Sequence, residues 1–229
     1  MIALTNISER LNSVRENIIA AAERSGRHPS DIGLVVISKK HPIEKMREAL
    51  DAGVSVFGES RLQEASVKIP LLPARTRFHF IGHLQKNKLR KLLPLFELFH
   101  SIDSLELALE MDRIASDLGL FPRVLLEVNI SAESSKYGFV PHDLENLLEK
   151  LLSLPRLQVE GFMTMAPLSD DPETSRSIFS QLRLLRDHLA IQAGIPLPTL
   201  SMGMSNDYEV AVEEGATLVR VGSAIFGKQ

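Results

Sequence analysis

The sequence predicts an α/β protein, a closed (β/α)₈ barrel with one extra helix at its N-terminus. Short apolar segments alternate eight times with longer segments of helical periodicity, and the short segments are nearly continuous in apolar residues, as expected for parallel strands buried on both faces. No dinucleotide-binding glycine fingerprint follows the first strand, and eight strands would form an unusually wide open sheet. These observations favour the closed barrel over the alternative, an open doubly wound sheet.

The first predicted element is an amphipathic helix that precedes the first strand. Asn6 is a suitable N-cap residue, and Glu9 stands three positions later, as in a capping box. Gly26 and Pro29 are stop signals beyond the end of this helix. An apolar stripe at helical spacing predicts the face that packs against the barrel: Ile7, Leu11, Val14, Ile18 and Ala22.

The strand-helix units follow in order, and no linker interrupts the single domain expected over residues 1–229. Strands are predicted where β-branched or aromatic runs occur, at residues 34–39, 54–59, 78–83, 98–103, 124–129, 157–165, 199–203 and 218–223. Helices are predicted where apolar residues recur every three or four positions, at residues 42–52, 60–69, 84–93, 104–118, 141–152, 172–193 and 206–214. Residues 168–172 predict a long loop after the sixth strand.

Composition and charge exclude several classes of protein. With 229 residues, 44% of them hydrophobic and 24% charged, the chain has ordinary globular composition. A net charge of -3 provides no basic field for nucleic acid, and no apolar run approaches the roughly 18 to 20 residues that span a bilayer. No signal peptide is recognisable, so a cytoplasmic location is expected. The absence of cysteine excludes disulfides, thiolate metal sites and a cysteine nucleophile.

The candidate site residues lie at the carboxyl ends of the first, seventh and eighth predicted strands. Barrels of this class place their sites there and often hold phosphate in the loops after strands seven and eight. An amine such as that of Lys39 can form a Schiff base with an aldehyde, and the amides of glycine and serine turns can hold phosphate. The candidates for the phosphate are Ser201, Gly203, Ser205, Gly222 and Ser223. The sequence therefore predicts a site for a phosphate ester that carries an aldehyde.

Arg220 lies within the eighth predicted strand, between two valines. A guanidinium there needs a partner, and two interpretations are open. Arg220 could form a structural salt bridge inside the barrel, or it could donate a hydrogen bond to a ring nitrogen or phosphate oxygen of a ligand.

Three further groups have both a structural and a functional interpretation. His79 and His83 share a face of a predicted strand, but no third metal ligand follows at suitable spacing, so a structural role is favoured. The basic residues from Lys86 to Lys91 lack interleaved aromatic residues and are interpreted as a solvated face rather than a polyanion site. The acidic and amide side chains after the second strand could position a substrate or cap the next helix: Glu59, Gln63 and Glu64.

Ordered sequence blocks across nearly the whole chain resemble the pyridoxal phosphate homeostasis protein family, whose fold is similar to the barrel domain of bacterial alanine racemases. The resemblance is carried by residues 36–39, 57–59, 63–64, 78–82, 84–88, 101–103, 135–138, 161–163, 200–205 and 219–227. It implies that Lys39 forms an internal aldimine with pyridoxal 5'-phosphate (PLP) and that Arg220 faces the pyridine nitrogen. It further implies that Ser201, Ser205, Gly222 and Ser223 hold the phosphate, with Gly203 in the same loop.

Two positions depart from the pattern of this family near the expected edge of the cofactor. The family commonly has a lysine before the proline that follows the aldimine lysine, where this chain has His41 before Pro42. The glutamate of the Phe-Gly-Glu block is commonly followed by asparagine, where this chain has Ser60.

Three functions are compatible with an amine beside a phosphate site. The resemblance implies a non-catalytic PLP carrier that buffers the cofactor or delivers it to PLP-dependent apo-enzymes. The alternatives are a PLP-dependent amino-acid racemase or decarboxylase and a Schiff-base aldolase acting on a sugar phosphate. Racemisation needs an acid and a base on opposite faces of the substrate. The similar racemases obtain the opposing tyrosine from a second domain and a partner subunit, whereas this chain offers only Tyr137 and Tyr208. The carrier is therefore expected, and without the second domain a monomer is expected.

Overall fold

The computed structural model of the chain describes residues 6–131 and 137–227. Its strands form a closed, fully parallel barrel in sequence order, in which β8 pairs with β1 and closes the sheet. The predicted fold class, a TIM barrel with an added N-terminal helix, is confirmed. The strands are β1 Gly33–Ile37, β2 Val56–Glu59, β3 Arg77–Phe80, β4 Leu98–Ile102, β5 Arg123–Glu127, β6 Gln158–Met163, β7 Thr199–Ser201 and β8 Leu218–Val221.

Helices surround the barrel and connect its strands. They are α1 Ile7–Arg24, α2 Ile43–Asp51, α3 Leu62–Lys68, α4 Leu89–Leu92, α5 Leu105–Leu118, α6 Pro141–Leu152, α7 Arg176–Ala193, α8 Tyr208–Glu213 and α9 Ser223–Phe226. None of the helices in the described ranges is long and apolar enough to cross a membrane.

The N-terminal helix begins and packs as its sequence predicts. The Asn6 side chain accepts a hydrogen bond of 2.8 Å from the backbone N–H of Glu9, and the predicted apolar stripe of α1 is buried. The helix packs against α8 and α9, and Arg24 pairs with Glu209 and Glu213 of α8. The added helix therefore supports the segments that follow β7 and β8.

The hydrophobic core has two parts because every strand is buried on both faces. The larger part lies between the strands and the helices and contains the stripes of the amphipathic helices. A smaller cluster inside the barrel consists of Leu98, Leu125 and Met163, with Leu218 packed against it. Polar side chains share this interior, among them His100 and Arg220, which are both buried.

Gly161 in β6 lies too close to β7 to carry a side chain. Its φ is 150°, and a Cβ atom built on it would lie 1.9 Å from the carbonyl oxygen of Thr199 in β7. Glycine alone leaves room for the β6–β7 pairing at this point, where Gly161 is in register with Thr199.

The structure corrects several predicted boundaries. Strands β1, β7 and β8 end two residues earlier than predicted, so Lys39, Gly203 and Ser223 lie beyond them, and Ser223 begins α9. Strand β3 ends at Phe80, so His83 does not share a strand face with His79. The predicted helix over residues 84–93 is a 3₁₀ turn, Lys86–Lys88, followed by the short α4. Lys136, part of the resemblance, lies outside the described residues.

Candidate functional site

A cavity of about 580 Å³ opens at the mouth of the barrel formed by the carboxyl ends of the strands, beside the seam between β1 and β8. Five of the residues predicted to bind a cofactor line it: Lys39, Ser205, Arg220, Gly222 and Ser223. Its apolar wall includes Ile37, Ile81, Met163, Met165, Pro167 and Leu168. The cavity therefore combines an amine, a guanidinium and a serine-glycine turn with apolar surface.

The serine-glycine corner of the cavity is built from two loops. The Oγ of Ser205, in the loop after β7, accepts hydrogen bonds from the backbone N–H groups of Gly222 (3.2 Å) and Ala224 (3.3 Å). Both amides lie at the start of α9, so two backbone N–H donors converge on one point. Such a turn of backbone N–H groups suits an anionic oxygen.

Asp207 fixes the loop that carries Ser205. Its carboxylate accepts hydrogen bonds from the backbone N–H of Met204 (2.7 Å) and from the hydroxyl of Ser175 (3.0 Å). The sequence reasoning missed Asp207. The available signal was an acidic residue directly before a short helix, where side chains commonly bond to the backbone of the turn.

Ser201 and Gly203, the other two predicted binding residues, lie behind the cavity wall. Gly203 has a φ of 89°, and a Cβ atom there would lie 2.5 Å from the Cβ of Ala211, so glycine lets the loop lie against α8. The carbonyl of Gly203 accepts the backbone N–H of Arg220 at 3.0 Å. Neither residue is part of the cavity lining, and both contact Arg220.

Arg220 points into the barrel and is held there by uncharged groups. Its Nη1 donates to the hydroxyl of Ser201 at 2.6 Å, and its Nη2 donates to the carbonyl of Thr164 at 3.0 Å. Ser201 Oγ shares a hydrogen bond of 2.8 Å with Nδ1 of His100. In turn, Nε2 of His100 lies 3.0 Å from Nδ1 of His79. This buried hydrogen-bonded chain orients the guanidinium, and among the described residues no carboxylate forms a salt bridge with it.

Burial sets the protonation states of the side chains in this hydrogen-bonded series. It lowers the pKa of His79 to about 4, with help from Arg123 and Arg77, and it holds the pKa of His100 well below its usual value. Burial also lowers the pKa of Arg220 to about 10, although Glu127 and Asp207 act to raise it. At neutral pH both imidazoles are therefore neutral, and Arg220 alone carries a charge.

Glu127, at the end of β5, behaves in the opposite way to the histidines. Burial, together with the neighbouring Asp103, raises its pKa to about 7, although Arg220 acts to lower it. A carboxyl group of raised pKa stabilises the fold below its unfolded-state value of 4.5, and this contribution is lost as the pH rises towards 7. A histidine of lowered pKa stabilises the fold above 6.5, and this contribution is lost as the pH falls towards 4.

These opposing effects predict how two variants will differ from the wild type. Between pH 6.5 and pH 5 each group changes the free energy of unfolding by about 2 kcal/mol, in opposite directions. We expect Glu127→Gln to lose more stability than the wild type on acidification, and His79→Gln to lose less. Urea unfolding at the two pH values measures both differences. The double variant serves as the control and should recover the wild-type pH dependence; equal slopes in all four proteins would contradict the assignment.

The remaining sequence candidates lie away from the cavity lining. The hydroxyl of Tyr208 accepts a hydrogen bond from Asn17 of α1 at 2.9 Å, and Tyr137 stacks on His83 with ring centroids 4.0 Å apart. Neither tyrosine lines the cavity. Within the described ranges no cluster of side chains could hold a metal ion.

The basic segment from Lys86 to Lys91 is partly neutralised by acidic side chains of α5. Lys86 pairs with Glu106, and Arg90 pairs with Asp117. This agrees with the interpretation of a solvated face.

Known proteins share both the sequence and the fold of this chain. Residues 10–229 match the family model described as alanine racemase, N-terminal domain. The chain is 43% identical to the pyridoxal phosphate homeostasis protein of Aquifex aeolicus over 98% of this chain and 99% of that protein. It is 37% identical to the protein of the same name in Escherichia coli K12, over 98% of this chain and 97% of that protein.

Solved structures agree with these sequence matches. PipY of Synechococcus elongatus, in a structure with PLP bound, is 40% identical, with a TM-score of 0.84 over 97% of this chain and 100% of that chain. An alanine racemase of Clostridium difficile is only 17% identical and shares the fold, with a TM-score of 0.76 over 99% of this chain and 57% of that chain. Full-length identity at this level, on the same barrel, leads to one conclusion: the chain belongs to the pyridoxal phosphate homeostasis protein family.

Proposed function

We propose that this protein binds PLP as an internal aldimine on Lys39 and serves PLP homeostasis, buffering the cofactor or delivering it to PLP-dependent apo-enzymes without strong catalysis of its own. The observation that carries the proposal is the convergence of Lys39, Arg220 and the Ser205 corner on one cavity. When bound, PLP supplies an aldehyde that condenses with an amine; a C=N bond forms and the aldehyde oxygen leaves as water.

The residues present fit the three polar groups of this cofactor. Lys39 lines the cavity, and its amine suits the aldehyde; the amides of Gly222 and Ala224, with the hydroxyl of Ser205, suit the phosphate. Arg220 suits the pyridine nitrogen, because a guanidinium can only donate. The apolar wall formed by Met163 and its neighbours suits the ring faces.

The protonation of Arg220 supports a carrier rather than a fast enzyme. With a pKa of about 10, Arg220 keeps its proton at neutral pH. A ring nitrogen facing it would accept a hydrogen bond, stay unprotonated and withdraw electrons weakly. The positions of the tyrosines support the same proposal. Tyr208 bonds to α1 and Tyr137 stacks on His83, so neither provides an opposing acid or base at the cavity.

Borohydride trapping tests the proposal. We expect the purified protein to absorb as a PLP imine, to lose that absorption on reduction, and to yield a single pyridoxyl adduct that peptide mass spectrometry places on Lys39. Sugar phosphates should not displace PLP, so the absorption of the imine should persist when they are added. Trapping that requires a sugar phosphate would indicate an aldolase instead. Inversion of an amino acid well above the rate with free PLP would indicate a racemase and contradict the carrier.

A further inference from the structure

Both residues that flank Lys39 are fixed by side chains from β2 and α3. On one side, the hydroxyl of Ser38 donates to Oε1 of Glu59 at 2.8 Å, and both residues are fully buried. The carbonyl of Ser38 accepts a hydrogen bond from the ammonium group of Lys68 at 3.0 Å. The backbone immediately before Lys39 is therefore anchored through its carbonyl as well as its side chain.

On the other side, Lys40 adopts a left-handed backbone conformation. Its φ is 62°, the only positive φ of a non-glycine residue in the described part of the chain. A side chain at such a φ is strained, so the surrounding structure must hold it. The backbone N–H of Lys40 donates to Oε2 of Glu64 at 2.7 Å. Glu64 thus stabilises the turn that directs the chain away from Lys39.

Lys68 joins the two anchors. Its ammonium group lies 2.9 Å from Oε1 of Glu59 and 3.2 Å from Oε2 of Glu64, in addition to its bond to Ser38. Three donors therefore meet three acceptors, which satisfies the ammonium group. The lysine side chain is only 11% exposed, so solvent screens these contacts weakly.

None of Lys68, Glu59 and Glu64 lines the cavity, although Lys39 and Lys40 do. The network therefore contacts the backbone on both sides of Lys39, a residue that lines the cavity. We propose that Lys68 and Glu64 are positioning residues that, with Glu59, fix the turn at Lys40 and so direct the Lys39 amine towards the carbonyl carbon of a bound aldehyde. This inference rests on the proposed function and adds to it the residues that prepare the amine.

The central test compares Glu64→Ala with Gln63→Ala, a matched control on the exposed side of the same helical turn. Two ligands are used: PLP, and 4'-deoxypyridoxine 5'-phosphate, which has no aldehyde. We expect Glu64→Ala to slow imine formation with PLP on the order of tenfold, because the amine loses its alignment. The aldehyde-free analogue should bind with unchanged affinity, and Gln63→Ala should match the wild type with both ligands.

Two further variants separate positioning from general stability. Lys40→Gly accepts a positive φ without strain, so Glu64→Ala should slow imine formation less in the Lys40→Gly background. Lys68→Met should reproduce the Glu64→Ala effect in protein that thermal unfolding shows to be folded. Hydrogen exchange at the Lys40 amide, measured without any ligand, should be faster in both Glu64→Ala and Lys68→Met.

The outcomes distinguish this inference from the proposed function. The positioning role would be overturned if Glu64→Ala weakened the binding of PLP and of the aldehyde-free analogue equally. It would also be overturned if both Glu64→Ala and Lys68→Met formed the imine at the wild-type rate. Failure of the wild type to give any adduct on Lys39 would instead overturn the proposed function.

Discussion

Lys39→Ala is expected to abolish the reducible PLP adduct while the protein remains folded. Lys39 is exposed and lies beyond the end of β1, so its side chain contributes little to the core. Without the amine, no C=N bond can form at this position, and PLP is held only by the non-covalent contacts of the phosphate and ring. We expect affinity for PLP to fall on the order of a hundredfold, about 3 kcal/mol, in equilibrium dialysis.

Lys40→Ala is the matched control, because Lys40 is a second lysine that lines the same cavity. Its backbone bond to Glu64 does not depend on the side chain, so the turn is retained. The variant should keep the borohydride-stable adduct and most of its affinity. An adduct that survives in Lys39→Ala, or one that disappears in Lys40→Ala, would contradict the assignment of the covalent bond to Lys39.

Gly161→Ala is expected to cause the largest loss of stability of any single methyl addition considered. The new Cβ would lie 1.9 Å from the oxygen and 2.8 Å from the carbon of the Thr199 carbonyl. These are backbone atoms of a paired strand and cannot rotate away, so β6 and β7 must separate. We expect a loss of about 3 to 5 kcal/mol in the free energy of unfolding, or failure to fold.

Gly119→Ala provides the comparison for Gly161→Ala. Gly119 ends α5 with a φ of 68°, and nothing lies within 4 Å of a Cβ atom built there. Only the conformational strain remains, which is about 1 kcal/mol. Urea unfolding of the two variants separates strain from collision. Similar losses in both would show that the β6–β7 approach adjusts easily.

Strand-helix periodicity was enough to predict the fold, because a parallel barrel buries its strands on both faces and makes them visibly apolar. The ends of strands were less predictable. The predicted seventh strand extends to Gly203, but β7 ends at Ser201, whose side chain points into the barrel. Period-two alternation of side chains cannot distinguish a serine that bonds to Arg220 inside the barrel from one that lines the ligand cavity.

Roles that depend on contacts distant in sequence were harder to predict. His100 lies 101 positions from Ser201. A buried histidine in the apolar run of β4 was a signal, but only the closed barrel shows its partners. In the same way, Glu64 could cap a helix or position a group, and the distinction required knowing that its carboxylate meets the N–H of Lys40.

The hydroxyl of Ser205 already bonds to the amides of Gly222 and Ala224. An incoming phosphate must therefore share these donors with the hydroxyl or displace it, exchanging one set of hydrogen bonds for another. Phosphate binding therefore gains less free energy than it would from N–H groups without an acceptor, by about 1 kcal/mol for each bond replaced. Because the Ser205 hydroxyl replaces the phosphate as acceptor, it would lower the affinity for the phosphate and speed its dissociation. Both effects favour reversible binding over permanent retention.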